Sequence, residues 1–255
     1  CSGVGGTGGA LAEATLLRVT PDETAITNAV DIVQRPGGGS GVVASNNDRA
    51  VRLYDASTGA CEVKLDFPWP VNFTATSADG RLVLVVGDDP IGVVADARTG
   101  KEAVSLVGHQ DFSFAAAWHP DGVVCATGNQ DTTARVWDLR SPGAARKVLQ
   151  GRMGATRSLR YSADGTTLLA AEPADFCHVY DATDDYETAQ EVDLFGEISG
   201  IALSPDDEAL FVGITDNTFG SLLEYRRVSE EQKVRDVLRG ACAGGRAGTA
   251  GTAVA

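Results

Sequence analysis

The sequence is poor in the residues that build most metal and redox sites. Its 255 residues include three histidines and five cysteines. The cysteines are odd in number, far apart and without a C-x-x-C pair, which disfavours a zinc site or a disulfide framework and is typical of a reducing compartment. The histidines lie at unrelated spacings and form no metal-ligand pattern. We expect no metal or other cofactor.

Long apolar runs and basic clusters are also missing. No stretch approaches the roughly 18 apolar residues of a membrane span, and no signal-peptide core is present. Acidic residues outnumber basic ones by 35 to 21, which makes the formal net charge −14, and such a charge repels phosphate backbones. We therefore predict a protein of the cytoplasm, the nucleus or both, with no membrane or nucleic-acid partner.

Glycine is plentiful, and it belongs to a turn that recurs. The chain has 30 glycines, and a short turn of the type Ser-Ala-Asp-Gly or His-Pro-Asp-Gly returns with a period of about 42 residues. The turn aspartates are Asp79, Asp121, Asp164 and Asp206. Apolar runs flank each turn, which is typical of a β-hairpin.

A second marker has the same period. Four apolar segments end on an aspartate, at Asp55, Asp96, Asp138 and Asp181. A fifth, degenerate copy of this segment covers 222–225. Two independent markers with one spacing predict a structural repeat.

Each repeat has room for four short strands, which we name a to d. In the clearest repeat they are predicted at Ser113–Trp118, Val123–Thr127, Ala134–Trp137 and, near the end, Arg146–Leu149. Four strands in about 40–45 residues form one blade of a β-propeller. A single blade cannot bury both faces of its sheet, so blades stack around an axis. The predicted fold is therefore an all-β propeller.

The clearest repeat opens with Gly108-His109 and closes with Trp137-Asp138. The chain resembles the WD40 β-propellers, whose repeats carry this GH and WD frame. The resemblance covers Thr24 to Arg226 as five blades. It implies a WD40 protein without enzymatic activity that binds protein partners.

The family usually has seven blades, so the resemblance implies that one or more are missing here. The chain starts at Cys1 and has one methionine, Met153, which predicts a truncated or processed N-terminus. We expect a partial blade over 1–20 and blades over 21–227. A short helix or outer strand over 228–239 and a disordered Gly/Ala-rich tail over 240–255 complete the prediction.

Three segments resemble a narrower WD40 branch of plants and algae that has no assigned activity. They are Gly151–Ala155, Ala171–Phe176 and Asp193–Ile198.

The resemblance also implies a structural network of His109, Thr127, Asp131 and Trp137. Asp131 can accept a hydrogen bond from one ring nitrogen of His109, and the other nitrogen can accept one from the Thr127 hydroxyl. The same three residue types could form a catalytic triad, but a triad also needs a cleft and its geometry. We therefore expect no catalytic residue here.

A recurring apolar residue precedes each turn and predicts a partner surface. These residues fall in the d–a connections, which in the family lie on the top face of the propeller: Trp69, Phe112, Met153 and Phe195. The neighbouring candidates in or before the b–c turns are Asn47, Asp88, Gln130 and Glu172, with Arg157 as a basic addition. Aromatic residues and methionine suit peptide binding. Alternatively, these side chains fill gaps between blades.

The segment from Trp137 to Arg140 resembles the DWD box, with Asp138 and Arg140 as its docking residues. This predicts a second function, in which the chain is a substrate receptor that binds the adaptor of a cullin–RING ubiquitin ligase. The first function is that of a scaffold for protein partners of unknown identity.

Overall fold

The computed structural model describes residues 18–20, 22–35, 38–215 and 220–228, and every regular element in these ranges is a β-strand. The strands are β1 (Thr27–Gln34), β2 (Ser40–Asn46), β3 (Ala50–Asp55), β4 (Cys61–Asp66), β5 (Val71–Thr76), β6 (Leu82–Gly87), β7 (Asp89–Asp96), β8 (Glu102–Leu106), β9 (Ser113–Trp118), β10 (Val124–Asn129), β11 (Thr133–Asp138), β12 (Lys147–Gln150), β13 (Ser158–Tyr161), β14 (Thr167–Ala171), β15 (Ala174–Asp181), β16 (Ala189–Leu203), β17 (Ala209–Thr215) and β18 (Ser221–Arg226).

The strands form antiparallel sheets in chain order, as blades of a propeller do. β1 to β4, β5 to β8 and β9 to β12 make three four-stranded sheets, which are blades 1, 2 and 3. Their first strands lie side by side, β1 next to β5, β5 next to β9, and β9 next to β13. The all-β propeller prediction is confirmed, and the four strands predicted for the clearest repeat correspond to β9 to β12.

The fourth sheet differs from the expected pattern, because it contains two blades. β16 pairs with β15 through its first half and with β17 through its second half. It is therefore both strand d of blade 4 and strand a of blade 5. Three residues of β16 form a bulge opposite Asp175, and Asp175 and Gly196 adopt φ angles of 63° and 113° there. The five predicted blades thus appear as four sheets, with three strands of blade 5 in the described chain.

The recurring turns owe their sequence to backbone geometry. Gly80, Gly122 and Gly165 occupy the left-handed region, with φ of 69–74°, and Asp207 takes the same position in blade 5 with φ of 57°. Glycine adopts this conformation without steric cost, and aspartate tolerates it. The turn aspartates cap these turns, as Asp79 does by accepting hydrogen bonds from the Arg81 N–H and the Ser77 hydroxyl.

The aspartates that end the c strands also cap turns. Asp96 Oδ1 accepts the backbone N–H groups of Arg98 and Thr99, and Asp181 Oδ1 accepts that of Thr183. Hydrogen bonds from the threonine hydroxyls lower the pKa of both aspartates. The second sequence marker is therefore a structural feature of the c–d turns.

The core lies between neighbouring blades, where alternate strand residues interdigitate. Between blades 3 and 4, for example, Val136 packs with Leu159 and Leu168. Cys125 and Cys177 are buried in the same kind of setting, and burial raises the pKa of both thiols, that of Cys177 to about 12. Both cysteines act as small apolar core residues rather than as nucleophiles.

Several predictions concern residues outside this structure. The partial blade predicted over 1–20 is described only for its last three residues, of which Val19 accepts a hydrogen bond from the Tyr54 hydroxyl over 2.9 Å. The element predicted over 228–239 and the tail over 240–255 lie outside the described residues, except for residue 228. In the described part of the chain, no helix is long and apolar enough to cross a membrane.

Candidate functional site

One edge of the blades carries both the b–c turns and the d–a connections, and we call it the upper rim. Backbone hydrogen bonds join the two kinds of loop: the Gln130 N–H donates to the Phe112 carbonyl over 2.8 Å, and the Ile198 N–H donates to the Pro173 carbonyl over 2.9 Å. The upper rim comprises the d–a connections 67–70, 107–112, 151–157 and 194–198 and the b–c turns 47–49, 88, 130–132 and 172–173. The opposite edge, with the a–b and c–d turns, is the lower rim.

Blade 3 brings together the four residues of the predicted network. His109 Nδ1 lies 2.9 Å from Asp131 Oδ2, and His109 Nε2 lies 2.9 Å from Thr127 Oγ1. Trp137 Nε1 donates to the same Thr127 oxygen over 2.8 Å. One proton arrangement satisfies all four groups, in which Thr127 accepts from Trp137 and donates to His109, whose Nδ1–H donates to Asp131.

Burial and hydrogen bonding together set the charge states of this network. Burial lowers the pKa of His109, so the imidazole is neutral near pH 7. Burial alone would raise the pKa of Asp131, but hydrogen bonds from Thr133 and His109 outweigh it and the pKa is lowered. The His109 side chain is only 1% exposed. A substrate has no access to it, so the geometry suits a structural role that ties the d–a connection to the b–c turn.

Blade 4 replaces this network with a buried carboxylate that sequence reasoning placed on the partner surface. Glu172 accepts the backbone N–H groups of Arg152, Met153 and Gly154 over 2.6, 2.7 and 2.7 Å. It also accepts a hydrogen bond from His178 Nε2 over 2.8 Å. Glu172 is 1% exposed. It cannot touch a partner, and the prediction is corrected: Glu172 holds the d–a connection in place, because four donors already fill its oxygens.

Trp69 also lies in the core and not on the surface. It is 7% exposed and its ring centroid is 5.1 Å from that of Phe67. A Cβ atom on Gly87 would clash with the Pro70 carbonyl oxygen and lie 2.6 Å from the Trp69 ring. The indole and the adjacent backbone therefore fill the space that the absent side chain of Gly87 leaves. For Trp69 the gap-filling alternative is right, and its predicted partner contact is wrong.

The other three recurring apolar residues are accessible to solvent. Phe112 is 44% exposed, Met153 is 70% exposed and Phe195 is 90% exposed. They lie on the d–a connections that precede blades 3, 4 and 5, and Gln130 is exposed beside Phe112. The upper rim thus presents apolar side chains along three consecutive blades.

Asn47 and Asp88 are only half-buried, but their side chains already have partners. Asn47 Oδ1 accepts the Ile26 N–H over 2.7 Å, and Asp88 Oδ1 accepts from Asn72 Nδ2 over 2.9 Å. Arg157 is exposed and lies over the ring of Phe114, with 4.8 Å between the guanidinium carbon and the ring centroid.

Asp138 and Arg140 lie on the lower rim, at the end of β11. Arg140 Nε and Nη2 both donate to the Asp138 carboxylate, over 2.9 and 2.6 Å. This pairing lowers the pKa of Asp138 to about 2. Arg140 is still largely accessible to solvent, but two of its guanidinium donors are already paired with Asp138 of the same chain.

The described residues contain no group of histidine, cysteine, aspartate or glutamate side chains that could hold a metal ion. We call Glu172, with the three N–H groups and the His178 ring that it binds, the Glu172 clamp. The sequence pattern does not predict this clamp, because neither Glu172 nor His178 matches the network of blade 3. One feature of the sequence does point to it: Glu172 is an acidic residue between the apolar Ala170-Ala171 and Pro173, six residues before a histidine in a predicted strand.

Comparisons with known proteins agree with this architecture. Residues 100–138, which hold most of blade 3, match the family model described as WD domain, G-beta repeat. The U3 small nucleolar RNA-associated protein 15 homolog of Xenopus tropicalis is 24% identical over 78% of this chain and 38% of its own length. The nuclear distribution protein PAC1 of Coccidioides posadasii is 25% identical over 62% of this chain and 38% of its own length. The target of rapamycin complex subunit wat1 of Schizosaccharomyces pombe is 29% identical over 41% of this chain and 34% of its own length.

These relatives support a WD40 protein with the propeller fold. The chain spans little more than a third of the length of these curated relatives. The resemblance to a plant and algal branch has no support among them.

Proposed function

We propose that this protein is a non-enzymatic scaffold that binds protein segments on its upper rim through Phe112, Met153 and Phe195. The observation that carries the proposal is the exposure of these three large apolar side chains on consecutive blades. Isolated exposed apolar residues are common. Three at equivalent places in a repeated structure form a surface that a partner can cover.

Hydrogen bonds also hold the loops of the upper rim in place. The Phe112 carbonyl accepts a hydrogen bond from the b–c turn of its blade, and the Met153 N–H donates one to Glu172. Loops that are ordered before binding lose little conformational freedom when a partner arrives. Burial of the apolar side chains contributes roughly 25 cal/mol for each Å² removed from water.

The relatives are consistent with this role. WD40 propellers generally serve as interaction scaffolds, and wat1 is named as a subunit of a complex. One relative is named for its association with an RNA. For this chain we propose protein partners and a location in the cytoplasm, the nucleus or both, because a net charge of −14 opposes direct contact with phosphate backbones.

Proximity labelling tests the scaffold proposal. Wild-type protein is compared with a variant that carries Phe112→Ser, Met153→Ser and Phe195→Ser. The matched control replaces exposed apolar residues away from the upper rim, with Val30→Ser, Ile32→Ser and Val148→Ser. We expect the rim variant to lose partners that the control retains. An unchanged partner list in the folded rim variant contradicts the proposal.

The ubiquitin-ligase alternative has weaker support. The exposed Arg140 on the lower rim favours it, but its donors are paired with Asp138. The names of the three relatives given above do not point to this function. Docking on an adaptor would have to replace that internal pair with an equivalent one.

A further inference from the structure

Two exposed arginines of this acidic chain lack a carboxylate partner and lie over aromatic rings. In the described part of the chain, eight other arginines form salt bridges: Arg18, Arg35, Arg52, Arg81, Arg140, Arg146, Arg152 and Arg226. Salt bridges are also missing at four described arginines that have no aromatic ring beneath them: Arg49, Arg98, Arg135 and Arg227. Arg157 and Arg160 form none with any described carboxylate, although acidic residues outnumber basic ones by 35 to 21. Both are exposed. Of the six unpaired arginines among the described residues, these two are the ones held over an aromatic ring.

Each of these arginines lies over a phenylalanine ring. The guanidinium carbon of Arg157 is 4.8 Å from the centroid of Phe114, and that of Arg160 is 5.8 Å from the centroid of Phe73. Arg157 precedes β13 and Arg160 lies on it, whereas the rings belong to β9 and β5. These are the first strands of blades 4, 3 and 2. We call Phe73, Phe114, Arg157 and Arg160 the arginine–phenylalanine surface.

The stacking leaves the guanidinium edges available. A cation held over an aromatic face is attracted by the ring quadrupole, which restrains its position. The planar N–H donors of arginine point outward from the edge of the group, where a carboxylate can accept two of them. Arg160 uses one donor on the Leu159 carbonyl, over 3.2 Å. The other donors of the pair have no side-chain acceptor among the described residues.

We infer that the arginine–phenylalanine surface binds the carboxylates of an acidic segment of a protein partner, whose apolar residues cover Phe112 and Met153. The inference rests on the proposed function and names the chemistry of the partner. Charge complementarity supports it. An acidic segment is attracted where cations lack internal partners. Arg157 and Arg160 differ from the other unpaired arginines because phenylalanine rings hold them, and Arg157 shares its d–a connection with Met153. We therefore expect the acidic residues of the partner to bind here.

A displayed library of random dodecapeptides, selected on the full chain, tests the inference. We expect the wild type to select peptides that combine apolar residues with aspartate or glutamate. The variant Arg157→Gln, Arg160→Gln should lose the enrichment of acidic residues. Arg98→Gln, Lys101→Gln is the matched control, because it removes two exposed charges from the lower rim of blade 2 and should select as the wild type does.

A selected peptide then provides a direct measurement. Its affinity for the wild type should fall about tenfold when its acidic residues become Asn and Gln, and should fall with rising salt. The Arg157→Lys, Arg160→Lys variant should retain part of the acidic preference, which separates charge from loss of folding. Thermal unfolding of each variant verifies that it is folded.

The outcomes separate the two hypotheses. Peptides that depend on Phe112, Met153 and Phe195 but carry no acidic enrichment overturn the inference and leave the scaffold proposal intact. Equal loss of acidic enrichment in the Arg98 and Lys101 control also overturns it, because net charge would then explain the preference. Selection that does not depend on the three apolar residues, or no selection at all, contradicts the proposed function itself.

Discussion

Glu172 accepts a hydrogen bond from His178 over 2.8 Å at a place where both side chains are almost fully buried. The same carboxylate holds the N–H groups of the loop that exposes Met153. Blade 4 therefore fastens its part of the upper rim with a glutamate that binds the loop N–H groups directly, where blade 3 uses an aspartate–histidine pair with a threonine and a tryptophan. One architecture is stabilised by different chemistry in successive repeats.

Glu172→Gln should destabilise the protein by about 1–3 kcal/mol, because an amide nitrogen then opposes N–H donors that need acceptors. Amide hydrogens of Arg152 to Gly154 should exchange faster in the variant. Chemical denaturation and hydrogen exchange measure the two effects. Glu187→Gln, at an exposed salt bridge with Lys147, is the control and should change stability little. If both variants unfold with the same free energy, Glu172 does not stabilise the d–a connection as described.

Asp131→Ala should also cost about 1–3 kcal/mol, because the buried His109 loses its acceptor. Thermal unfolding checks the effect. An unfolding temperature like that of the wild type would show that the network contributes nothing to stability.

Stability should decline as the pH falls below about 6.5. Burial lowers the pKa of His109 in the folded protein, so the unfolded chain binds the proton first and gains from acidification. The free energy of unfolding, measured at about pH 7.5 and about pH 5.5, should drop more in the wild type than in a His109→Asn variant. A steeper drop in the variant contradicts this assignment.

Gly87→Ala should be destabilising by at least about 1–3 kcal/mol, since the added Cβ would clash with the Pro70 carbonyl oxygen and lie 2.6 Å from the Trp69 ring. Gly143→Ala is the matched control, because nothing lies within 4 Å of its added Cβ. In a Trp69→Ala background the Gly87→Ala change should cost less, because the clash with the indole is gone and only that with the Pro70 carbonyl remains. Additive changes in the free energy of unfolding would show that the ring contact contributes nothing.

Arg140→Ala should leave partner recovery unchanged if the upper rim is the binding surface. Co-purification with a cullin–RING adaptor, compared between wild type and variant, tests the alternative function. Recovery by the wild type that the variant loses would favour the ligase receptor over the scaffold.

The repeat of about 42 residues predicts the positions of the apolar residues on the upper rim, but it does not predict which of them are exposed. The repeated position of Phe112, Met153 and Phe195 is visible in the spacing, because equivalent residues of a repeat occupy equivalent loops. Trp69 occupies the same place in the repeat and is nevertheless buried, because Gly87 opposite it has no side chain. Glu172 is likewise buried by a tertiary contact, because the d–a connection 151–157 lies over it and donates three N–H groups to it.

The blade architecture follows from the sequence alone, because tight turns and capped strand ends are local features that recur with a fixed period. Which rim side chains face solvent, and which cations lack a carboxylate, depends on contacts between residues 20 to 90 positions apart. Arg160 meets Phe73 only because the first strands of three blades converge. Such contacts form when the blades stack, and the repeating sequence pattern does not encode them.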